Sequence, residues 1–385
     1  MDKGLDMKRY YKLLLKRLMF YPFSLLPINK RKIVFDNFGG KGYGDNPKYI
    51  ADELLKQDEH LDLVWLVKNM STFVPKGIRK VQYGSWRAFF EWSTAKVWVD
   101  NIRNSDRPWK RKNQVYLQTW HGSDGVKLIE KDVESTLSKS YIRMAKYDGS
   151  ISDAIISSCQ LQTEQFKKSF WLADNVEVLE YGLPRNDDFF QKKKVDHINH
   201  TVRSKYDISL DELVILYMPT FRDDGSTKAY NLDYDKIINS FQDFYNRKVK
   251  VLIRFHPNVD NTFFNNTDKR LINVTDYPDP QDLMFMADIM ISDYSSAPID
   301  FLLLDRVVFL YMPDYEEYTK IRPLDLNFKK LPFIKCYSNF ELAEQISRFS
   351  KNEYHKRIND YELNNKRFDD GHAAKKCAEW ILNKL

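Results

Sequence analysis

Short apolar runs alternate with helical stretches along almost all of this chain, and that alternation leaves few folds open. Lys32–Phe38, Leu63–Val67, Lys96–Asp100, Val115–Thr119, Ala154–Ser157 and Val176–Tyr181 read as strands. Between them Pro47–Leu55, Ser135–Lys146 and Gln160–Phe170 carry helical patterns, the first with proline in its opening turn, where a missing N–H costs nothing. A polar, lysine-rich stretch, Phe190–His200, interrupts the series. A second set follows, with strands at Leu213–Met218, Val249–Phe255, Ile289–Ser292 and Val307–Tyr311. Its helices fall at Tyr234–Tyr245, Pro280–Phe285 and Pro298–Leu304, and more helix closes the chain from Ser338 to Leu385. Strands alternating with helices predict an α/β fold of parallel sheets clad on both faces. A chain of 385 residues is too long for one ordinary core, so two such domains are expected. The expected division is an arm over residues 1–31, a first domain over 32–195 and a second over 196–385, whose last helices are free to pack back on the first. Open parallel sheets bind ligands beyond the carboxyl ends of their strands. Two in tandem therefore predict a cleft, with the chemistry carried just after the strands.

Charge excludes one class of partner. The chain carries a formal +6, yet residues 1–32 alone hold nine Lys or Arg against two Asp, and the rest is close to neutral. Nucleic-acid binding spreads basic residues over a folded surface, so no nucleic-acid partner is expected. Within the arm Tyr11, Leu14, Leu15, Leu18 and Met19 recur at helical spacing, and Lys8, Lys12 and Lys16 recur on another side with Arg9 and Arg17 beside them. Such an amphipathic helix suits an anionic membrane surface, each basic residue near it contributing about 1 kcal/mol. The competing reading is a helix packed on its own protein. Contact through residues 8–26 at the cytoplasmic face of the cell membrane is the expectation, peripheral because no run of eighteen apolar residues occurs. The three cysteines, Cys159, Cys336 and Cys377, are widely spaced and suggest neither a disulfide framework nor a zinc site.

Six blocks follow predicted strands. Gln118-Thr119-Trp120-His121-Gly122-Ser123 puts a histidine where the backbone leaves the sheet, and a histidine there can take a proton from an attacking hydroxyl. Arg254-Phe255-His256-Pro257 sets a guanidinium and an imidazole on one side of a strand end, a combination suited to phosphate. Ile291-Ser292-Asp293-Tyr294-Ser295-Ser296-Ala297-Pro298 joins a strand to a helix; its serines either cap that helix or cradle an anion, and Asp300 follows one turn on. Met218-Pro219-Thr220-Phe221-Arg222-Asp223 offers Thr220 and Arg222 as donors, although the block taken alone reads first as a plain strand-to-loop exit. Gly182-Leu183-Pro184-Arg185-Asn186-Asp187 reads alone as a turn. Phe38-Gly39-Gly40-Lys41-Gly42-Tyr43-Gly44-Asp45-Asn46-Pro47 is glycine-rich in a chain with only 13 glycines, and it fits neither a Walker loop nor the dinucleotide fingerprint.

Together, in this order, the blocks resemble the CDP-glycerol glycerophosphotransferase family, which contains the teichoic acid primases and polymerases. The resemblance runs from about Lys32 to Asp370-Gly371. It implies two Rossmann-like domains facing across a cleft, GT-B-like, with the nucleotide held mainly by the second. It implies His121 as general base and His256 as a phosphate or leaving-group partner. Arg222, Thr220, Arg254, Pro257, Asp293, Ser295, Ser296 and Asp300 would lie on the donor side. Gly39, Gly40, Gly42, Asp45, Asn46, Trp120, Gly122, Ser123, Arg185 and Asn186 would lie on the acceptor side. The donor would be CDP-glycerol or CDP-ribitol and the acceptor a lipid-linked, undecaprenyl-type saccharide, with CMP released and no obligatory cofactor or metal. Where the family commonly has Thr-Pro after His-Gly, this chain has Ser123-Asp124. Only some thirty residues precede the first strand, which points to a primase-like enzyme over a long-chain polymerase. A GT-B glycosyltransferase using a nucleotide sugar, or a non-catalytic membrane-surface protein, are the alternatives. The first lacks a clearly placed sugar-contacting Glu block, and the second leaves the strand-end blocks unexplained.

Overall fold

In the computed structural model the described residues are 3–123, 127–222, 225–256, 259, 264 and 267–385, with side chains from Tyr11 onward except those of Lys228 and Leu326. The chain divides into two compact units, one of residues 1–122, 129–187 and 367–385, the other of residues 123–128 and 188–366.

The first unit is built on seven strands: β1 (Asn29–Phe35), β2 (Asp62–Val67), β3 (Ile78–Gln82), β4 (Ala95–Asp100), β5 (Val115–Gln118), β6 (Ala154–Ile156) and β7 (Glu177–Leu179). They pair in parallel in the order β3-β2-β1-β4-β5-β6-β7. Period-two alternation sends Ile33, Phe35, Trp65, Val97 and Val99 to one buried layer and Val34, Val64, Trp98 and Tyr116 to the other. The last helix, Ala373–Leu382, belongs to this unit and adds Cys377, Ala378 and Ile381 to the first of those layers. His372 gives it no side-chain cap; the Asp187 carboxylate accepts from Ala373 N and Ala374 N instead, at 2.9 and 2.7 Å.

The second unit carries β8 (Leu213–Met218), β9 (Val249–Ile253), β10 (Leu271–Asn273), β11 (Ile289–Ser292), β12 (Val307–Tyr311) and β13 (Ile334–Cys336), again all parallel, in the order β10-β9-β8-β11-β12-β13. Its core is one cluster running from Val214 and Leu216 through Leu252 and Ile291 to Phe309.

Sequence reading overlooks β3, β10 and β13, each the outermost strand at its edge of a sheet. One flank of such a strand meets no neighbour, so short or polar segments suffice there; β3 reads Ile-Arg-Lys-Val-Gln. The stretch expected to be a break, Phe190–His200, is largely helix: Lys192–Lys205 buries only Val195, Val202 and Arg203, too few positions to show a period. Helices at Trp86–Thr94 and Tyr315–Ile321 were likewise not anticipated.

The arm forms a helix over Lys3–Met19 followed by a turn of 3-10 helix, Tyr21–Leu25. Its polarity differs from the expected division. Lys16 pairs with Asp106 at 2.5 Å, and Arg17 donates to the carbonyls of Arg107 and Ser105. Two cations expected to meet a membrane are thus spent on the helix's own unit. Tyr11, Leu15, Leu18 and Met19 are each more than half exposed, and Leu25 is 73% exposed. Phe20 and Phe23 anchor the turn on Phe89 and Phe90. Among the described residues no helix is long and apolar enough to cross a membrane.

Candidate functional site

In the first unit the strand order reverses between β1 and β4, the position where open parallel sheets bind ligands. Both strands end on the same dipeptide, Asp36-Asn37 and Asp100-Asn101, and all four residues are buried. Asp36 Oδ1 accepts from Gly40 N at 2.6 Å, and Asn104 Nδ2 bridges Asp36 and Asp100 at 2.7 and 3.0 Å. Beneath them Arg103 forks onto Glu130 and reaches Asp148, while Arg107 pairs with Asp148. Four buried carboxylates thus share two guanidiniums. Burial pushes the Asp36 carboxyl up to about 7, and burial together with the charge of Asp36 lifts Asp100 well above the carboxylate range.

This polar floor fixes the glycine loop. Gly40 sits at φ +83, where a Cβ would come within 2.9 Å of Lys68 N and 2.8 Å of Tyr83 Cβ, so its role is close packing. Gly42, at φ +85, has open space around it.

After β5, Gln118 holds the turn by accepting from Trp120 N at 2.9 Å and donating to Tyr116 Oη at 2.7 Å. Trp120 takes the left-handed conformation, φ +52. The His121 ring lies between Trp120 and Phe38, with centroids 4.3 and 5.2 Å away, and its Nδ1 is 2.7 Å from the Asn101 carbonyl oxygen. Asn46 donates to the Trp120 carbonyl at 3.1 Å and accepts from Arg185 N at 3.2 Å. Arg185 Nη1 donates to Asp45 and to the His121 carbonyl, both at 2.8 Å. Gly122 accepts from Gln162 Nε2 at 2.7 Å. The glycine loop, the Gln-Thr-Trp-His block and the Gly-Leu-Pro-Arg block, far apart in sequence, therefore meet around one imidazole. Several of the expected acceptor contacts are turned inward: Asn46 and Asn186 are fully buried, and Asn186 donates to Asp369 at 3.2 Å. These amides brace loops because the backbone leaving three strands exposes carbonyls that need donors. Asn101, Asn104 and Arg103 escaped the sequence reading; the Asp-Asn pair repeated after two apolar strands was the available signal.

In the second unit the order reverses between β8 and β11. Ser292 Oγ donates to Met218 O at 2.7 Å across that point. Asp293, 3% exposed, accepts from Thr220 N and Oγ1 and from Tyr294 N. Arg222 donates to Asp293 at 3.0 Å and to Asp314 at 2.6 and 3.1 Å, with its guanidinium over the Tyr294 and Tyr318 rings at 5.1 and 5.0 Å. Burial alone would weaken its hold on the proton, but the two carboxylates outweigh that and keep it charged. Thr220, Arg222 and Asp293, expected to meet the donor, thus saturate one another.

Arg254 differs. Its Nη1 caps the carbonyls of Val274, Thr275 and Tyr277, and among the described residues no carboxylate comes within ion-pair distance of it. Burial lowers its pKa, and Asp279 and Asp276 only partly offset that. His256 is exposed, its ring 5.7 Å from Phe221. Ser295 Oγ accepts from Ala297 N at 3.1 Å, Ser296 leaves its side chain out of the cap, and both are half-buried. Asp300 is buried and accepts from Ser123 Oγ at 2.5 Å, so these two expected contacts, one donor-side and one acceptor-side, face each other. Pro257 lies outside the described residues.

Comparison with known proteins agrees over nearly the whole chain. A teichoic acid poly(glycerol phosphate) polymerase of Staphylococcus epidermidis is 30% identical over 92% of this chain, which spans about half of that relative's length. A teichoic acid glycerol-phosphate transferase of Staphylococcus aureus is 29% identical, covering 97% of this chain and 99% of its own. A poly(glycerol phosphate) polymerase of Bacillus spizizenii is 27% identical over 99% of this chain and all of its own, so length does not separate primase from polymerase. The structure of the wall teichoic acid polymerase TagF superposes with a TM-score of 0.81 at 26% identity, covering 100% of this chain and 98% of that one. The family model for CDP-glycerol:poly(glycerophosphate) glycerophosphotransferases matches residues 18–383, and the chain belongs to that family.

Proposed function

We propose that this protein transfers a polyol phosphate from a CDP-polyol to a lipid-linked acceptor in the synthesis of teichoic acid or a related wall or capsule polymer, releasing CMP. The observation that carries the reading is the convergence of three strand-end blocks on His121, in a member of a glycerophosphotransferase family. An acceptor hydroxyl attacks the phosphorus bearing the polyol, and His121 takes its proton, a step worth about 10²–10⁴-fold in rate. The remaining catalysis is positioning and charge stabilisation. Arg254, which makes no ion pair among the described residues, attracts the donor diphosphate together with His256, Ser295 and Ser296; Arg222 contributes by fixing the loop they stand on. Relatives named for glycerol phosphate and for ribitol phosphate both match, and no block separates the two donors.

The arm works at a membrane surface in this reading, with Tyr11, Leu15, Leu18, Met19 and Leu25 supplying the inserted apolar area. Its remaining cations add attraction to anionic lipid.

Incubation with CDP-glycerol, CDP-ribitol or a UDP-sugar and a synthetic lipid-linked disaccharide tests the reaction. CMP release with a product heavier by whole polyol-phosphate units is expected, and the product mass counts the units added. Release of UDP with transfer of a sugar would overturn the assignment.

A further inference from the structure

A neutral imidazole accepts a proton at only one of its two nitrogens, and the surroundings of His121 select which. Nδ1 lies 2.7 Å from the Asn101 carbonyl oxygen. A carbonyl can only accept, so Nδ1 carries the hydrogen and Nε2 keeps the lone pair. The Asn101 carbonyl is itself held firmly. Its side chain is fully buried, Oδ1 accepts from Phe38 N at 2.8 Å, and Nδ2 donates to Asn37 Oδ1 at 2.8 Å and Asp45 Oδ2 at 2.9 Å. The other oxygen of Asp45 accepts from Arg185 Nη1, and that same nitrogen donates to the His121 carbonyl. The Asp45 carboxylate therefore reaches His121 by two routes, to the ring through Asn101 and to the backbone through Arg185. The side chains of this ion pair are only 6% and 10% exposed. Three non-glycine residues at positive φ, Phe38, Asp45 and Trp120, border the same knot. Backbone of that kind persists where the surroundings over-determine it, and it gathers at functional sites.

We propose that Asp45, acting through Asn101 and Arg185, is a positioning residue that locks His121 in its Nδ1–H form with Nε2 presented to the acceptor hydroxyl. The inference rests on the reading of His121 as the base. It reassigns Asp45 and Arg185 from contacts with the acceptor to orientation of the imidazole, the third-group role that nucleophile–base pairs commonly require.

The first test reads the unaltered site. Nitrogen-15 spectra of the imidazoles, with the His121 signal identified by its loss in His121→Ala, report the tautomer in the intact protein. An Nδ1–H, Nε2-unprotonated pattern is expected above the ring's pKa, and an Nε2–H pattern would overturn the proposal. Asp45→Asn, which keeps the volume and removes the charge, is expected to lower kcat about 10²-fold. KM for CDP-glycerol should stay within about twofold of wild type, as for a group acting only on the reacting centre, and the spectrum should shift toward mixed tautomers. Arg185→Lys serves as the second variant, retaining a cation and losing the fork, with the same direction expected. A folded Asp45→Asn protein with unchanged kcat and an unchanged Nδ1–H signal would refute the positioning role alone. Retained transfer by His121→Ala would instead refute the base assignment on which it stands.

Discussion

Replacing Arg222 by methionine separates a brace from a ligand. The guanidinium is 8% exposed and lies between Asp293 at 3% and Asp314 at 22%, with two tyrosine rings packed on its faces. Removing one partner from a buried charge network costs about 3–5 kcal/mol, because the remaining carboxylates stay buried without compensation. Loss of the ring contacts adds about 1 kcal/mol. Offsetting this, Asp293 keeps its donors from Thr220 and Tyr294, and Asp314 keeps the Tyr294 hydroxyl at 3.1 Å. The net expectation is about 3 kcal/mol, which for a unit of this size is a fall of roughly 6–12 °C in its melting transition. Adding Asp293→Asn and Asp314→Asn to the same protein should return part of the loss, since the orphaned charges go with them. Scanning calorimetry beside steady-state kinetics with CDP-glycerol makes the test. A donor ligand would behave oppositely: Arg222→Met would raise KM strongly and leave the melting transition in place, and that result would refute the argument.

Two further outcomes follow from the same geometry. Asp36 has a folded-state pKa near 7, above that of an unfolded aspartate, so between about pH 4 and 7 the folded chain holds a proton that the unfolded chain has released. The stability from this group is full at low pH and is lost as pH rises through 7; Asp36→Asn should flatten that part of the melting-temperature profile, and an unchanged slope would contradict it. Deleting residues 1–26 should abolish binding to vesicles containing anionic lipid while leaving turnover of a soluble acceptor analogue in place, and undiminished vesicle binding would remove the membrane role of the arm.

The fold was legible wherever burial on both faces forces a continuous apolar run, as at Leu213–Met218, Ile289–Ser292 and Val307–Tyr311, where expected and observed boundaries coincide. It was illegible at the sheet edges, where β3, β10 and β13 need little apolar character, and in Lys192–Lys205, whose three buried positions carry no period. The site was legible as a set of blocks beyond strand ends. Which of their polar side chains are already engaged within the protein was not, because spacing along a chain cannot show that a polar side chain is satisfied. Arg222 and Arg254 look alike in sequence, but the structure pairs the first with two carboxylates. Asn46 and Asp45 sit side by side in a glycine-rich loop, yet both point inward to hold His121 and its turn. In the arm the sequence shows a cationic stripe but not the Asp106 carboxylate and the carbonyls that engage Lys16 and Arg17.

The most direct measurement follows CDP-glycerol through one variant. His121→Ala should bind the donor with nearly wild-type affinity in a calorimetric titration, yet release CMP in the presence of acceptor at least about 10²-fold more slowly. Turnover near the wild-type rate in that protein would mean that the imidazole held by Asn101 is not the group that takes the proton.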